Sequence, residues 1–473
     1  MPRIPHAGLI GAEYQARSRY IDVQDLVNMY PETEDQRSKN VLSLIGCAGL
    51  KPFVDLRVEQ PLINGGIRGL HSTATGRAYC VCSNAVFELF SGGSAKLLGK
   101  LETSVGRVSM ADNGGAVALL DGSGVEGDQL FITDGKNGYV FQMSTGIQLS
   151  VSSVYDQIKG TSVVFKDGYF IVNRPNTGQF YISGLYDGTS WDGAVWYTAE
   201  GSPDDLVKIA KSNNELWLFG SLSTEVWYNA GGGETGDPLW RRIQGAFLDI
   251  GTDAPDSVAS IGSSMFWLGS NTRGIGSVWT ANGFSPVRIS THAIELMIGK
   301  MDRIDDAIGY CYQQEGHLFY VLNFLTANKT LVFDQSTGLW HQRAYYNEGV
   351  NVLLSHRGIC STTVFGKVLV GDHSLTKVYE YDLDCYTDDG AKIIRRRTFP
   401  HTADGNKYVF YHELEVEMEK GAGDVVGNEP ENTTGINDDF STYPEGVFDS
   451  DSGTIWNVNK KSSRSGDLYI RIG

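Results

Sequence analysis

The feature that most constrains the fold is a strand–turn–strand pattern that recurs along most of the chain. Short apolar runs are followed by a turn containing Gly, Asn, Asp or Ser and then by an aromatic-rich return. The pairs are 77–82 with 85–90, 116–120 with 129–133, 162–165 with 169–172, 215–219 with 224–228, 264–268 with 277–280, 317–322 with 330–334, and 367–371 with 377–382. Strands at this spacing, without long helical periodicity between them, predict an all-β chain.

The spacing between the pairs also suggests how the strands are arranged. Successive pairs begin roughly 40 to 60 residues apart, about the length of one four-stranded blade with its loops. We therefore predict a β-propeller of about six to seven blades over residues 63–398, because each blade packs on its neighbours and ring closure protects the sheet edges. An N-terminal arm (1–62) precedes it, and a small C-terminal β module with acidic loops (399–473) follows.

Two local signals refine this picture. Lys166-Asp167-Gly168 predicts a tight hairpin turn, because Asp and Gly readily adopt positive φ. Residues 291–301 contain the best helical pattern, of three turns at most. Cys80 and Cys82 flank one residue in a strand-like run, so both are expected to point to one face as small core residues. Six scattered cysteines make no disulfide framework.

Charge and hydropathy narrow the class of protein. The chain has 39 Lys and Arg against 56 Asp and Glu, a net charge of −17, which opposes tight binding to phosphates. The run Arg395-Arg396-Arg397 is interpreted as a solvated edge or a contact with an acidic partner surface. No apolar stretch is long enough to predict a membrane span, and the first residues lack the pattern of a secretory signal.

Motifs for chemistry are missing from the sequence. It has no HExxH, no Gly-x-Ser-x-Gly and no Walker-type loop, so we predict no enzyme and no catalytic, cofactor-binding or metal residues. Asp187-Gly-Thr-Ser-Trp191 and the segment from Asp334 to Trp340 loosely resemble Asp-box turns of sialidase-like propellers. We favour turn capping by Asp and packing of Trp. The alternative is a propeller enzyme or lectin that acts on host surface polysaccharide.

Several short segments give a more specific hypothesis. They include Gly106-Arg-Val-Ser-Met-Ala111 and, in chain order, residues 20–22, 27–29, 49–53, 68–69, 78–82, 223–228 and 413–417. In this order they resemble the packaged-DNA stabilisation protein family, the tail hub or nozzle subunit of short-tailed bacteriophages. The resemblance spans roughly residues 18 to 418, and the acidic segment beyond Gly421 departs from it.

The resemblance implies a structural role. We expect a homo-hexameric ring in the virion tail, assembled in the host cytoplasm below the portal adaptor. A plug or needle would close its far end, and tailspike or fibre proteins would attach around it. The ring would retain packaged DNA and form the conduit for its ejection. Double-stranded DNA would pass transiently and without sequence specificity, and an acidic wall would let it slide.

Overall fold

Short strands from the N-terminal segment begin the structure. The computed structural model describes residues 11–16, 23–33, 42–115, 117–118, 125–212, 214–232, 238–271, 274–398, 447–449 and 455–457. The first strands are β1 (Tyr14–Gln15), β2 (Val23–Gln24), β3 (Leu26–Val27), β4 (Met29–Thr33), β5 (Leu42–Gly46) and β6 (Gly49–Asp55). β1 pairs with β2 and β4 pairs with β5, whereas β3 and β6 join sheets formed much later in the chain.

Blades one to three are four-stranded antiparallel sheets. Blade one contains β7 (Ile67–Ser72), β8 (Ala78–Cys82), β9 (Ala85–Phe90) and β10 (Ser94–Lys100). Blade two contains β11 (Ser109–Asp112), a side hairpin of β12 (Val117–Ala118) and β13 (Val125–Glu126), then β14 (Gln129–Thr133), β15 (Gly138–Gln142) and β16 (Gln148–Leu149). After helix α1 (Tyr155–Ile158), blade three contains β17 (Val163–Lys166), β18 (Tyr169–Asn173), β19 (Gln179–Gly184) and β20 (Asp187–Thr198).

Blades four to six follow the same plan. Blade four contains β21 (Leu206–Ser212), β22 (Glu215–Gly220), β23 (Thr224–Asn229) and β24 (Trp240–Leu248). After a 3-10 turn (Pro255–Ser257), blade five contains β25 (Ala259–Ile261), β26 (Ser264–Asn271), β27 (Gly274–Asn282) and β28 (Ser285–Arg288). After helix α2 (His292–Ile298), blade six contains β29 (Ala307–Gln314), β30 (His317–Phe324), β31 (Lys329–Asp334) and β32 (Leu339–Asn347), with β33 (Val352–Ser355) paired to β32.

Blade seven combines strands from two distant parts of the chain. Its first three strands are β34 (Gly358–Val364), β35 (Lys367–Asp372) and β36 (Lys377–Asp382). Its fourth is β6, which runs antiparallel to β36 with Leu50 opposite Tyr381. The same sheet also contains β37 (Thr387–Asp388) and β38 (Ala391–Lys392). Elsewhere, β39 (Arg396–Arg397) joins the sheet of blade six through β3, and β40 (Val447–Asp449) pairs with β41 (Ile455–Asn457). The N-terminal segment therefore supplies the fourth strand of blade seven, and β37 and β38 continue the sheet beyond it.

The seven blades form a closed ring. Within the described residues, the first strand of each blade neighbours the first strand of the next, and β34 of blade seven lies beside β7 of blade one. The side chains of Thr362 and Ser72 are hydrogen-bonded across this last junction, at 2.7 Å. An apolar cluster fills each junction between blades. The core is thus divided into seven wedges, each shared by two sheets.

The predicted all-β propeller is confirmed, and the seven blades lie within the predicted range. Asp167 and Gly168 have φ values of 49° and 88° in the predicted tight turn. The predicted helix is α2, whose N-terminus is capped by the Thr291 hydroxyl, which accepts from the amide of Ile294. Cys80 and Cys82 are both fully buried in one cluster. The predicted turn, helix and buried cysteines are therefore all present in the structure.

One predicted strand pair is corrected by the structure, and the two predicted terminal regions are described only in part. The pairing of 116–120 with 129–133 was wrong: β14 pairs with β11, and β12 pairs with β13 in a side hairpin. Residues 109–112, which form β11, begin with Ser and end with Asp and therefore lack the apolar run that indicates a buried strand. β6 lies inside the predicted arm 1–62, so part of that arm is built into the propeller. The C-terminal module stays a prediction, since most of 399–473 lies outside the described residues.

None of the helices in the described part of the chain is long and apolar enough to cross a membrane.

The pairing of β6 with β36 predicts where the fold is most sensitive to substitution. Leu50 is fully buried, so Leu50→Ala should lower the free energy of unfolding by about 2–5 kcal/mol, measured by urea unfolding. Lys51 is the next residue and is exposed, with one ion pair to Asp382 at 2.7 Å. Lys51→Ala is the matched control and should cost at most about 1 kcal/mol. Equal losses in the two variants would contradict closure by this strand.

Candidate functional site

Strand β3 of the N-terminal segment lies between β32 of blade six and β39. β3 pairs parallel with β32 and antiparallel with β39. The next residue, Asn28, has a left-handed conformation with φ 57°, which Asn tolerates better than most residues. Its amide donates to the carbonyls of Ala344 (2.9 Å) and Ile394 (2.8 Å), and its side-chain oxygen accepts from the Ala344 amide (2.8 Å). One side chain therefore joins three chain segments.

The three-arginine run at 395–397 contacts this N-terminal segment. Arg397 is fully buried and donates to the carbonyl of Ala12 (3.4 Å) and to Gln24 Oε1 (3.1 Å). Arg396 lies 3.4 Å from an oxygen of Asp25. The interpretation as a solvated edge or a partner contact was therefore wrong. The acidic and carbonyl groups that the run pairs with belong to its own chain, about 370 positions earlier.

Glu13 is a buried carboxyl on the other side of β3. Its Oε2 accepts from the Leu26 amide at 2.6 Å and its Oε1 from Gln342 Nε2 at 2.5 Å. Burial, together with the negative charge of Asp25, raises the pKa of Glu13 to about 7. This carboxyl therefore joins the residue before β1 to β3 and β32, and it changes its charge near neutral pH.

Two further buried polar side chains, those of Arg343 and Asp388, hold β6. Arg343 is 2% exposed, donates to the carbonyl of Ala48 at 2.6 Å and lies over the ring of Tyr381 at 4.6 Å. Asp388 accepts from the amide of Leu50 at 3.2 Å. Burial raises the pKa of Asp388 to about 6, although the positive charge of Arg343 opposes the shift. Both groups contact the backbone at the start of the closing strand.

We call these six residues the closure site: Glu13, Asn28, Arg343, Asp388, Arg396 and Arg397. Their charges and amides are used to hold segments of the same chain. Among the residues that the structure describes, no group of three or more His, Cys, Asp or Glu could hold a metal ion. The sequence analysis named no catalytic, cofactor-binding or metal residue, and that remains a prediction. This arrangement holds the N-terminal segment against blades six and seven and so stabilises the closed ring of blades.

The two Asp-box-like segments cap turns. Asp187 Oδ1 accepts from the amide and hydroxyl of Thr189 at 2.9 and 2.7 Å, and Trp191 is buried beside it. Asp334 is fully buried, and its Oδ2 is bonded to Thr337 Oγ1 and to His317 Nδ1, each at 2.8 Å. The favoured turn-capping interpretation is confirmed by this geometry.

The sequence matches the family model described as bacteriophage P22 Gp10, beta-propeller, over residues 4–386. The chain belongs to this phage-stabilisation family. Membership confirms the resemblance that the short segments predicted. It makes the chain a structural protein of a bacteriophage, of the kind that stabilises packaged DNA. No protein of curated function matches the sequence.

Solved structures similar to the chain are remote. The extracellular domain of BT4673 from B. thetaiotaomicron shares 9% identity at a TM-score of 0.44, covering 82% of this chain and 52% of that one. The N-terminal domain of Nup159 shares 8% at 0.39 (75% and 98%), and BamB from Moraxella catarrhalis shares 11% at 0.38 (76% and 98%). The chain spans about half the length of the first. At these scores the likenesses carry no argument about function.

The segments that resemble the phage-stabilisation family lie mostly at junctions of the propeller. Residues 27–29 contain Asn28, and residues 49–53 lie in β6. Arg68 donates to four backbone or side-chain oxygens in the loop 103–106, which connects blades one and two, and to the carbonyl of Ser83. Ser109 both accepts from and donates to the backbone of Val163 in blade three. Residues 20–22 and 413–417 lie outside the described residues.

One further segment, 223–228, fastens the connection into blade four. Glu225 is 2% exposed and accepts from the amide of Gly201 at 2.5 Å and from Trp227 Nε1 at 2.7 Å. Ser223 donates its hydroxyl to Asp204 at 3.0 Å. These bonds hold the loop that enters the blade. The resembling segments therefore mark contacts that fix one blade relative to the next.

Glu13 predicts a pH dependence of stability. Its pKa is 4.5 in an unfolded chain and about 7 in the folded protein, so the folded state binds the proton more tightly. The stability it contributes is complete below pH 4.5 and is lost as the pH rises through 7, by up to about 3 kcal/mol. In Glu13→Gln this loss should disappear.

The measurement is urea unfolding of both proteins between pH 4.5 and 8. Asp388 also has a raised pKa, but it is present in both proteins, so the difference between their pH profiles isolates Glu13. The variant should be the more stable protein above pH 7. Parallel profiles would show that Glu13 does not carry the proton.

Proposed function

We propose that the chain is one subunit of a homo-hexameric ring in the phage tail. The ring would lie below the portal adaptor, close the channel, retain packaged DNA and become its conduit during ejection. A plug or needle would close the far end, and tailspike or fibre proteins would attach around it. The family match over residues 4–386 carries this proposal.

The closed propeller supports assembly through its surfaces. A cyclic ring uses two different patches on each subunit, so the subunit must hold its shape when contacts form on both sides. The ring of blades is closed by β6, and the closure site buries segments from both parts of the chain against blades six and seven. Because β6 is paired on both sides, with β36 and with β37, it offers no free edge to a strand of a neighbouring subunit.

The charge of the chain supports passage of DNA without retention by the wall. The net charge is −17, and tight binding to a duplex requires Lys and Arg that neutralise phosphates. Repulsion between acidic groups and phosphates acts over about 8 Å at physiological ionic strength. A duplex in a channel lined by such subunits would be kept from adhering while the plug, rather than the wall, holds it back.

Two measurements test the proposal. Cryo-electron microscopy of virion tails should show six copies of the propeller in a ring on the tail axis. Particles assembled without the protein should package DNA but lose it, so that their DNase-resistant DNA falls, and supplying the wild-type chain should restore it. A single copy at the periphery of the tail, or unchanged DNA retention without the protein, would contradict the proposal.

A further inference from the structure

A cleft of about 510 Å³ opens between blades four and five. One wall contains Ser212, at the end of β21, and Glu215, at the start of β22. The other is formed by the turns β25–β26 and β27–β28. Ser212 donates its hydroxyl to the carbonyl of Ser263 at 3.3 Å, which links the two walls. The volume lies in the range of sites that hold small ligands.

Four polar side chains of this cleft are available for hydrogen bonds with a ligand. Glu215, Ser264, Asn282 and Gln335 line it, and within the described part of the chain their side chains form no hydrogen bond or ion pair. Other hydroxyls there are used: Thr280 donates to the carbonyl of Met265 at 2.9 Å. A carboxylate, a hydroxyl and two amides therefore face the opening with their hydrogen-bonding capacity available.

An apolar surface lies beside these groups. Phe284 is 39% exposed and Val287 is 42% exposed. The ring of Phe284 lies 6.5 Å from that of Trp217, at an angle of 43°, and all three residues line the cleft. An exposed aromatic ring next to a buried one presents an apolar face that a ligand can cover.

We propose that this cleft binds a neutral saccharide. Each sugar hydroxyl both donates and accepts, which matches amide, hydroxyl and carboxylate side chains. The C–H faces of a sugar ring pack on an aromatic surface such as Phe284. The cleft is lined by one carboxylate and by no Lys or Arg, so a phosphate or an acidic sugar would be repelled. All the residues of the site lie in one chain, so the isolated subunit contains the whole cleft.

The experiment uses the purified full-length chain and a panel of neutral hexasaccharides built from glucose, galactose, mannose or N-acetylglucosamine. Binding is followed by saturation-transfer NMR and by calorimetric titration. At least one neutral member should bind, and an oligogalacturonate of the same length should bind more weakly. Asn282→Ala and Phe284→Ala should each weaken binding about tenfold, the value expected for one lost hydrogen bond or ring contact of this kind.

Tyr386→Ala is the matched control, because Tyr386 is also an exposed aromatic residue, at 44%, and does not line the cleft. It should bind as the wild type does. Thermal unfolding of each variant shows whether it folds, and Glu215→Gln gives a second change that keeps the side-chain shape. Binding by no neutral member of the panel, or wild-type affinity in all the cleft variants, would overturn the proposal.

Discussion

The structure depends on the pairing of β6 with β36. A propeller without this strand would leave the edge of blade seven open and the last wedge of the core partly exposed. Leu50 and Tyr381 lie opposite each other in this pair, and Tyr379, Val370 and Ala48 belong to the same cluster. Because the strand comes from the beginning of the chain and its partner from near residue 380, the ring closes only after most of the chain is synthesised. Residues of β6 and β36 belong to both wedges that flank blade seven.

Closure of this kind brings polar groups into the interior. β6 and β3 carry backbone amides and carbonyls that need partners once water is excluded. Arg343, Asp388, Asn28 and Glu13 provide them. Burial of these groups is costly unless each is hydrogen-bonded, and among the described residues the buried Nε atoms of Arg343 and Arg396 have no such partner. The closure site therefore carries part of this cost while it holds the N-terminal segment in place. The pKa of Glu13 is raised because burial disfavours its charged form.

Sequence patterns predicted the turns and buried strands, because these depend mainly on residues close together in the chain. Asp-Gly chemistry fixed the turn at 167–168, and runs such as 78–82 indicated buried strands. Contacts between distant segments were beyond such reasoning. The run Arg395–Arg397 has the composition of a solvated edge, and only the fold brings it against Asp25 and Gln24. The burial of Glu13 could not be predicted, because it depends on contacts with distant residues such as Gln342 rather than on its sequence neighbours. The segment containing Asn28 was noticed through resemblance alone.

The same distinction explains the cleft between blades four and five. Its side chains come from turns separated by up to about 120 positions, so no spacing in the sequence could have assembled them. A propeller exposes many turns on one face, and these can change without altering the wedges of the core. The closure site and the inter-blade contacts hold the subunit rigid, as a structural role requires. The turns that these contacts leave free can change and acquire a binding site. Four side chains without a hydrogen-bond partner among the described residues lie on such turns or directly beside them: Glu215, Ser264, Asn282 and Gln335.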